Sequence, residues 1–359
     1  MKKYDVIVIG SGPAGNLFAS LTAAARLSVL VIEKDSAAKP YSQRLCLSPD
    51  CLHLWERQKL FAEFTALPHT RLKNISFSFG SNPPIDFPPS PDGKEIYSID
   101  KEVLNGWLRE RAIAAGAEYL PGIRCQEVDF ARRLNTDAGE FHSKVLVGAD
   151  GRNSWVARMA NFPLRKIRHP KTAWLSSSQL PGSDSAHFKF FKEGYFGFMP
   201  TSGSHTDLFM MLKKDCTHAP QKFMNDFFPG NDHLSWHSLP PAITYAATPA
   251  KNNILLIGDA AKTVEPLTGH GIYLALKSAE IAANLVIETQ LKGGWNYLDD
   301  RYIYQHNELY GYLSQRNRIA NFFIKYPRCG TLAVKYAARY PRIAQNYLPY
   351  FSGLENIGG

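Results

Sequence analysis

The feature that most constrains this chain is a glycine turn placed between a strand and a helix. Tyr4-Asp5-Val6-Ile7-Val8-Ile9 is a short β-branched run that ends on Gly10-Ser11-Gly12-Pro13-Ala14-Gly15, and a helical pattern follows from Asn16 to about Ala25. Gly10 permits a tight turn, Gly12 lets the backbone approach a pyrophosphate, and Gly15 lets helix and strand pack closely. Beside Pro13 and Ala14, the unpaired N–H groups of the helix start face the phosphates. The next run, Ser28 to Ile32, reads as a buried parallel strand and closes on Glu33 and Lys34. A carboxylate at Glu33 accepts hydrogen bonds from ribose hydroxyls and repels a phosphate on that ribose. The expected tightly held nucleotide is therefore FAD or NAD rather than NADP.

Two further stretches repeat the layout of strand, acidic turn and helix. Lys144 to Val147 leads into Gly148-Ala149-Asp150-Gly151-Arg152-Asn153-Ser154, and Asn253 to Ile257 leads into Gly258-Asp259-Ala260-Ala261. After the second comes Glu265-Pro266-Leu267-Thr268-Gly269-His270-Gly271-Ile272, then a predicted helix from about Tyr273 to Leu291. Together the three motifs resemble the superfamily of p-hydroxybenzoate hydroxylase-type flavoprotein monooxygenases, which also contains the geranylgeranyl reductases.

That resemblance implies a set of FAD contacts. Gly10, Gly12, Pro13, Ala14, Gly15, Glu33 and Lys34 would hold the ADP half, and the Asp150 turn would support the pyrophosphate region and bear on nicotinamide binding. Gly258 and Asp259 would reach the ribitol. Pro266, Gly269, Gly271 and Ile272 would present a helix N-terminus to the flavin N1 and C2 carbonyl, stabilising the anionic reduced ring. Arg44, within Tyr41-Ser42-Gln43-Arg44-Leu45-Cys46-Leu47-Ser48-Pro49, resembles the family arginine that lies along the sugar-phosphate chain. Two positions depart from the pattern: Ile99-Asp100-Lys101 puts Lys101 where the family often has arginine, and His270 stands where glutamine or glutamate is usual.

The implied fold is α/β: a Rossmann-like FAD-binding domain of glutathione reductase type, an inserted antiparallel β-sheet substrate domain, and a C-terminal helical tail. The expected boundaries are 1–75, 98–164 and 249–298 for the FAD domain, 76–97 and 165–248 for the substrate domain, and 299–359 for the tail. A chain of 359 residues is long enough for two such lobes. With 45% apolar and 20% charged residues it lies outside the disordered class. No secretory leader is expected, and no apolar stretch has the roughly 18 residues needed to span a bilayer. Five scattered cysteines suit a reducing cytoplasm better than a disulfide framework. The net charge of +9 favours an anionic substrate, a reduced nicotinamide dinucleotide or an acidic membrane surface, or serves only solvation. No nucleic-acid module accompanies that charge.

No second glycine fingerprint is present, so NAD(P)H is expected as a transient electron donor. The Arg44 to Leu60 segment looks like the hydroxylases, which implies oxygen transfer to an apolar or aromatic molecule through a C4a-hydroperoxyflavin. Pro266 to Tyr273 and Gly194 to Pro200 look like the reductase branch, which implies hydride transfer to a prenyl or other alkene. Hydroxylation is the leading expectation and alkene reduction the alternative. Cys46 and Cys51 have the C-x4-C spacing of disulfide reductases, yet the glycine pair that normally precedes such cysteines is missing, and a small apolar core role is preferred. A flavin-dependent halogenase lacks its Trp-x-Trp-x-Ile signature here, and a flavin-binding protein without catalysis leaves the Pro266 to Ile272 loop without purpose.

Between the second and third motifs, His187 to Phe191 and Leu208 to Leu212 read as strands, and Arg71 to Phe79 as another. Phe188, Phe190, Tyr195, Phe196, Phe198, Phe209, Met210 and Met211 are candidates for an apolar pocket or for sheet core. His169, His187 and His205 lack metal-ligand spacing, so no metal is expected, and no catalytic acid or base is assigned. The tail mixes arginine and lysine with aromatic residues and reads either as a cover on the FAD lobe or as a peripheral membrane contact.

Overall fold

The computed structural model describes residues 2–37, 44–87, 96–129, 131–168, 171–178, 184–200, 206–213, 216, 225, 234–239, 242–264 and 270–340. Its largest sheet has eight strands. The main path runs β19 (Ala250–Lys251), β20 (Ile254–Leu256), β11 (Gly139–Gly148), β1 (Lys2–Ile9), β2 (Val29–Glu33), β8 (Glu118–Pro121). β10 (Arg133–Thr136) pairs with β11 and then with β9 (Cys125–Val128).

From β20 to β8 the pairing is parallel, and both faces are covered, which is why these strands are continuous apolar runs. Val6, Val8, Val29, Val31, Val145 and Val147 face α1 (Pro13–Ala24), α4 (Lys101–Ala114) and α6 (Gly271–Lys292). Ile7, Ile9, Leu30, Ile32 and Leu146 face the other way, toward β9, β10 and α5 (Trp155–Met159). The predicted helices begin slightly earlier than their apolar periodicity suggests, because Pro13 occupies the first turn of α1 and Gly271 opens α6.

A second sheet of seven strands stands apart. Its order is β17 (His237–Leu239), β13 (Lys171–Ser178), β16 (Thr206–Lys213), β15 (Gly194–Pro200), β14 (Ser185–Phe191), β5 (Asn74–Phe79), β6 (Ile85–Phe87). All its pairings are antiparallel except β14 with β5. The single strand expected over Arg71 to Phe79 is two strands in two sheets. β4 (His69–Leu72) joins β7 (Ile96–Asp100) and β3 (Arg44–Leu47), whereas β5 enters the seven-stranded sheet. The break falls at Lys73, whose N–H donates instead to the carbonyl of Asp184 at 2.7 Å. β12 (Leu164–Arg168) and β18 (Ala242–Ala246) form a separate pair.

The register puts Phe77, Phe79, Phe188, Phe190, Tyr195, Phe209 and Met211 on one face of the seven-stranded sheet. At the near end of that face, Phe77, Phe188 and Cys46 of β3 pack against one cluster of Leu72, Ile75, Ile96, Ala186 and Met199. The C-terminal helices α7 (Leu298–Lys325) and α8 (Pro327–Arg339) close the molecule. α7 lies on α6, and Phe323 and Val334 of the two helices pack at the far end of the aromatic face. The remaining helices, α2 (Pro49–Arg57) and α3 (Phe61–Thr65), bury Trp55 and Phe64 against Trp107 of α4.

Candidate cofactor site

The three motifs emerge side by side from one edge of the parallel sheet. Gly10 N–H donates to the Ile32 carbonyl at 2.9 Å, Ala149 N–H to Ile9 at 2.8 Å, and Ile257 N–H to Gly148 at 3.0 Å. This is the carboxyl edge, where open α/β sheets take nucleotides.

The glycines of the first motif have separate tasks. Gly10 has φ +105°, and a Cβ there would lie 2.5 Å from the Ala149 carbonyl oxygen. A Cβ on Gly15 would lie 2.1 Å from the Gly10 oxygen, so both positions exclude any side chain for reasons of chain packing. Around a Cβ on Gly12 there is nothing within 4 Å. Its backbone borders open space at the N-terminus of α1, a fit for a pyrophosphate. Pro13 begins that helix, and Ala14 is buried beneath it.

Glu33 is half-buried at the end of β2. One carboxylate oxygen accepts the Ser11 N–H at 2.7 Å and the other the Asp35 N–H at 3.0 Å. Each oxygen keeps a lone pair for a ribose hydroxyl. Lys34 points to solvent. Asn16, missed by sequence reasoning, stiffens the same turn: its amide donates to the carbonyls of Ser11 and Asn105 at 3.0 and 3.2 Å.

Asp150 is turned inward. Its carboxylate accepts from Ser154 Oγ at 2.6 Å, Trp155 N–H at 2.6 Å and Val156 N–H at 3.0 Å. It therefore shapes the turn that starts α5, while burial pushes its pKa up. Asp259 is partly buried, and burial raises its pKa too, opposed by the charges of Arg152 and Lys101. Arg152 was not singled out from sequence, although it lies inside the Asp150 motif. With Lys101 it supplies positive charge beside Asp259, a charge that suits a phosphate group.

Gly258 has φ +58°, and its N–H donates to Ser278 Oγ at 2.9 Å. The tail helix reaches this turn: Tyr302 donates to the Leu256 carbonyl at 2.8 Å and Tyr310 to that of Gly258 at 3.5 Å. Gly271 and half-buried Ile272 begin α6, and His270 stands at its N-cap position without a side-chain capping hydrogen bond. Pro266 and Gly269 lie outside the described residues. The backbone N–H of Arg44, at the start of β3, donates to the Asp207 carboxylate of the seven-stranded sheet at 2.8 Å. Asp100, opposite Arg44 in the register, caps α4 through the Glu102 and Val103 N–H groups.

The thiols of the C-x4-C pair are not poised for exchange. Burial pushes Cys46 up to about 12 and Cys51 well above the ordinary thiol range. Among the described residues, no three His, Cys, Asp or Glu side chains could hold a metal ion. His187 stacks on Phe198 at 4.4 Å, and His169 and His205 lie outside the described residues. No helix among the described residues is long and apolar enough to cross a membrane.

A doubly wound sheet whose carboxyl edge gathers three glycine and aspartate turns defines a dinucleotide-binding flavoprotein scaffold. The chain belongs to the FAD binding domain family, which matches residues 3–212, and it is an FAD-dependent oxidoreductase. It is 24% identical over 321 residues to digeranylgeranylglycerophospholipid reductase 2 of Methanopyrus kandleri, covering 80% of this chain and 77% of that one. It is 27% identical over 339 residues to menaquinone reductase of Mycobacterium tuberculosis, covering 83% and 80%. Among solved structures, p-nitrophenol 4-monooxygenase PnpA of Pseudomonas putida superposes with a TM-score of 0.84 at 15% identity, over 99% of this chain and all of the other. The flavin-dependent brominase Bmp2 gives 0.78 at 17% identity, over 98% and 94%. These structural likenesses establish the fold.

Proposed function

We propose that the protein is an FAD-dependent reductase that saturates carbon–carbon double bonds of a long isoprenoid chain. The observation that carries this reading is the unbroken aromatic face of the seven-stranded sheet. Phe77 stacks near Phe188 at 5.5 Å and Phe190 at 6.2 Å, Phe79 lies 5.0 Å from Phe190, and Tyr195 lies 5.7 Å from Phe190. Asp207 and Lys171 lie toward the ends of this face, and the aromatic stretch between them suits an extended hydrocarbon better than a small polar ring. The likeness to digeranylgeranylglycerophospholipid reductase 2 supports the reading, because a geranylgeranyl carbon chain has no reducible bonds other than its alkenes.

FAD, when bound, supplies the two-electron hydride carrier, and NAD(P)H is the proposed transient donor. Gly12, Gly271 and the start of α1 would hold the phosphates and ring edge, Glu33 the adenosine ribose, and Asp259 the ribitol. Gly10 and Gly15 allow the close packing beneath them, while Asp150 fixes the shape of the second turn. Lys101, Arg152 and Arg44 would balance phosphate charge. The half-buried rings of Phe77, Phe188 and Phe209 would hold the chain and exclude water, while Phe79, Phe190 and Tyr195 are covered by Phe323 and Val334. The net change is one hydride and one proton added to each alkene.

Hydroxylation of an apolar or aromatic molecule, the leading expectation from sequence, uses the same scaffold and predicts the opposite result in one experiment. Holoprotein is incubated with NAD(P)H and geranylgeranyl diphosphate, without oxygen and then under labelled oxygen. A product heavier by two hydrogens, formed without oxygen, is expected. No anaerobic product, together with incorporation of one labelled oxygen atom once labelled oxygen is admitted, overturns the reading.

A further inference from the structure

Between Glu308 and Glu355 the chain carries seven lysine or arginine residues and no aspartate or glutamate. α8 lies in this segment and has two different sides. Its inner side meets the substrate sheet: a Cβ on Gly330 would lie 2.6 Å from the Phe79 ring, and Val334 packs in the cluster formed by Phe79, Phe190 and Tyr195. Thr331 Oγ accepts the Asn82 amide at 3.1 Å.

Its outer side is apolar where a solvated helix is polar. Leu332 is 69% and Tyr336 51% exposed, and Phe322 and Tyr326 at the end of α7 are 50% and 46% exposed. Exposed Lys325, Arg328, Lys335 and Arg339 alternate with them. Helical spacing puts Arg328, Leu332, Lys335, Tyr336 and Arg339 on one face. Lys325 Nζ lies 5.5 Å from the Tyr326 ring centre and the Arg339 guanidinium 5.9 Å from that of Tyr340. The basic groups thus border the rings they flank.

We propose that this face docks on an anionic lipid surface, with Leu332, Tyr336, Phe322 and Tyr326 entering the headgroup layer and the lysines and arginines meeting lipid phosphates. Charge complementarity selects this occupant. A second copy on a twofold axis would set the basic face against itself, and a nucleic acid would leave Leu332 and Phe322 without use. Docking brings the helix that covers the far end of the aromatic face to the bilayer, where apolar substrates reside. The docking stands without the reductase reading, and its test uses no substrate.

Holoprotein is floated with phosphatidylcholine vesicles, with and without phosphatidylglycerol, at low and high salt. Expected is flotation with the anionic vesicles that weakens with salt and is absent on neutral ones. Neutralising Lys335 and Arg339 together (Lys335→Gln, Arg339→Gln) is expected to lower partitioning about 25-fold, or about fivefold for each charge. Leu332→Ser with Tyr336→Ser should abolish the remainder, with flavin content and unfolding temperature unchanged to show an intact fold. No flotation, or variants that float like the parent, overturns the proposal. A dimer seen by light scattering and dispersed by the same substitutions also overturns it, and assigns the face to a second copy.

Discussion

His270 holds its Nε2 3.5 Å from Oδ2 of Asp50, and both side chains are almost completely buried. The contact joins the first residue before α6 to the first turn of α2, so the helix start proposed to face the flavin is braced from behind by a second helix. Removing one member of a buried pair leaves the other uncompensated. Asp50→Ala should therefore lower stability by about 1–3 kcal/mol, the cost of leaving a buried polar group without its partner, measured by chemical denaturation of the holoprotein. His270→Gln, which restores the residue type usual at this position in the resembling superfamily, should cost less and retain flavin. Equal losses for the two variants would count against the brace.

Gly15→Ala should abolish stable FAD binding. The added carbon would lie 2.1 Å from the Gly10 carbonyl oxygen, and backbone cannot yield as a side chain does. A Gly12→Ala variant meets no such contact within the protein and should fold normally, losing flavin only through its encroachment on the ligand. The ratio of flavin to protein absorbance after gel filtration distinguishes them, and thermal unfolding should show loss only for Gly15→Ala.

His306 carries a pH dependence whose sign is fixed. Burial, with the Lys262 charge beside it, pushes this histidine down from 6.5 to about 4, and its ring stacks on Tyr310 at 4.2 Å. The neutral form is the folded form, so its stability is fully present above pH 6.5 and is lost as pH falls toward 4. From pH 7 to pH 5 the loss from this group is about 2 kcal/mol. His306→Phe, which preserves the stack, should flatten that part of the pH profile in denaturant titrations. An unchanged profile would contradict the assignment.

Cys46 and Cys51 should be dispensable for electron transfer. Their thiols are buried and hold their protons. Cys46→Ala with Cys51→Ala is expected to keep turnover within about twofold, with a modest stability loss from the small cavities left. A large fall in turnover with normal flavin reduction would restore the dithiol reading.

How far the sequence reveals this molecule depends on whether a residue answers to its own backbone or to distant partners. Gly10, Gly15 and Gly258 were legible because positive φ or close chain approach leaves no other residue type. The parallel strands were legible because burial on two faces demands unbroken apolar runs such as Val145 to Val147. Lys73 was not, since the split between β4 and β5 is made by a hydrogen bond to Asp184 across a long sequence separation. Asp150 was legible as a motif position, but its three local donors, Ser154 Oγ and the Trp155 and Val156 N–H groups, were not. Tyr302 and Tyr310 have only an ordinary helical pattern in sequence. Their tie to the Leu256 and Gly258 carbonyls exists only once α7 is laid on the third motif.

The most direct test of the proposed reaction begins with photoreduced holoprotein, held without oxygen and mixed rapidly with geranylgeranyl diphosphate while the flavin absorbance is followed. Return of the oxidised spectrum at a rate that rises and saturates with alkene concentration is the predicted result. Flavin that stays reduced until oxygen is admitted, and then yields a hydroxylated product, would contradict it.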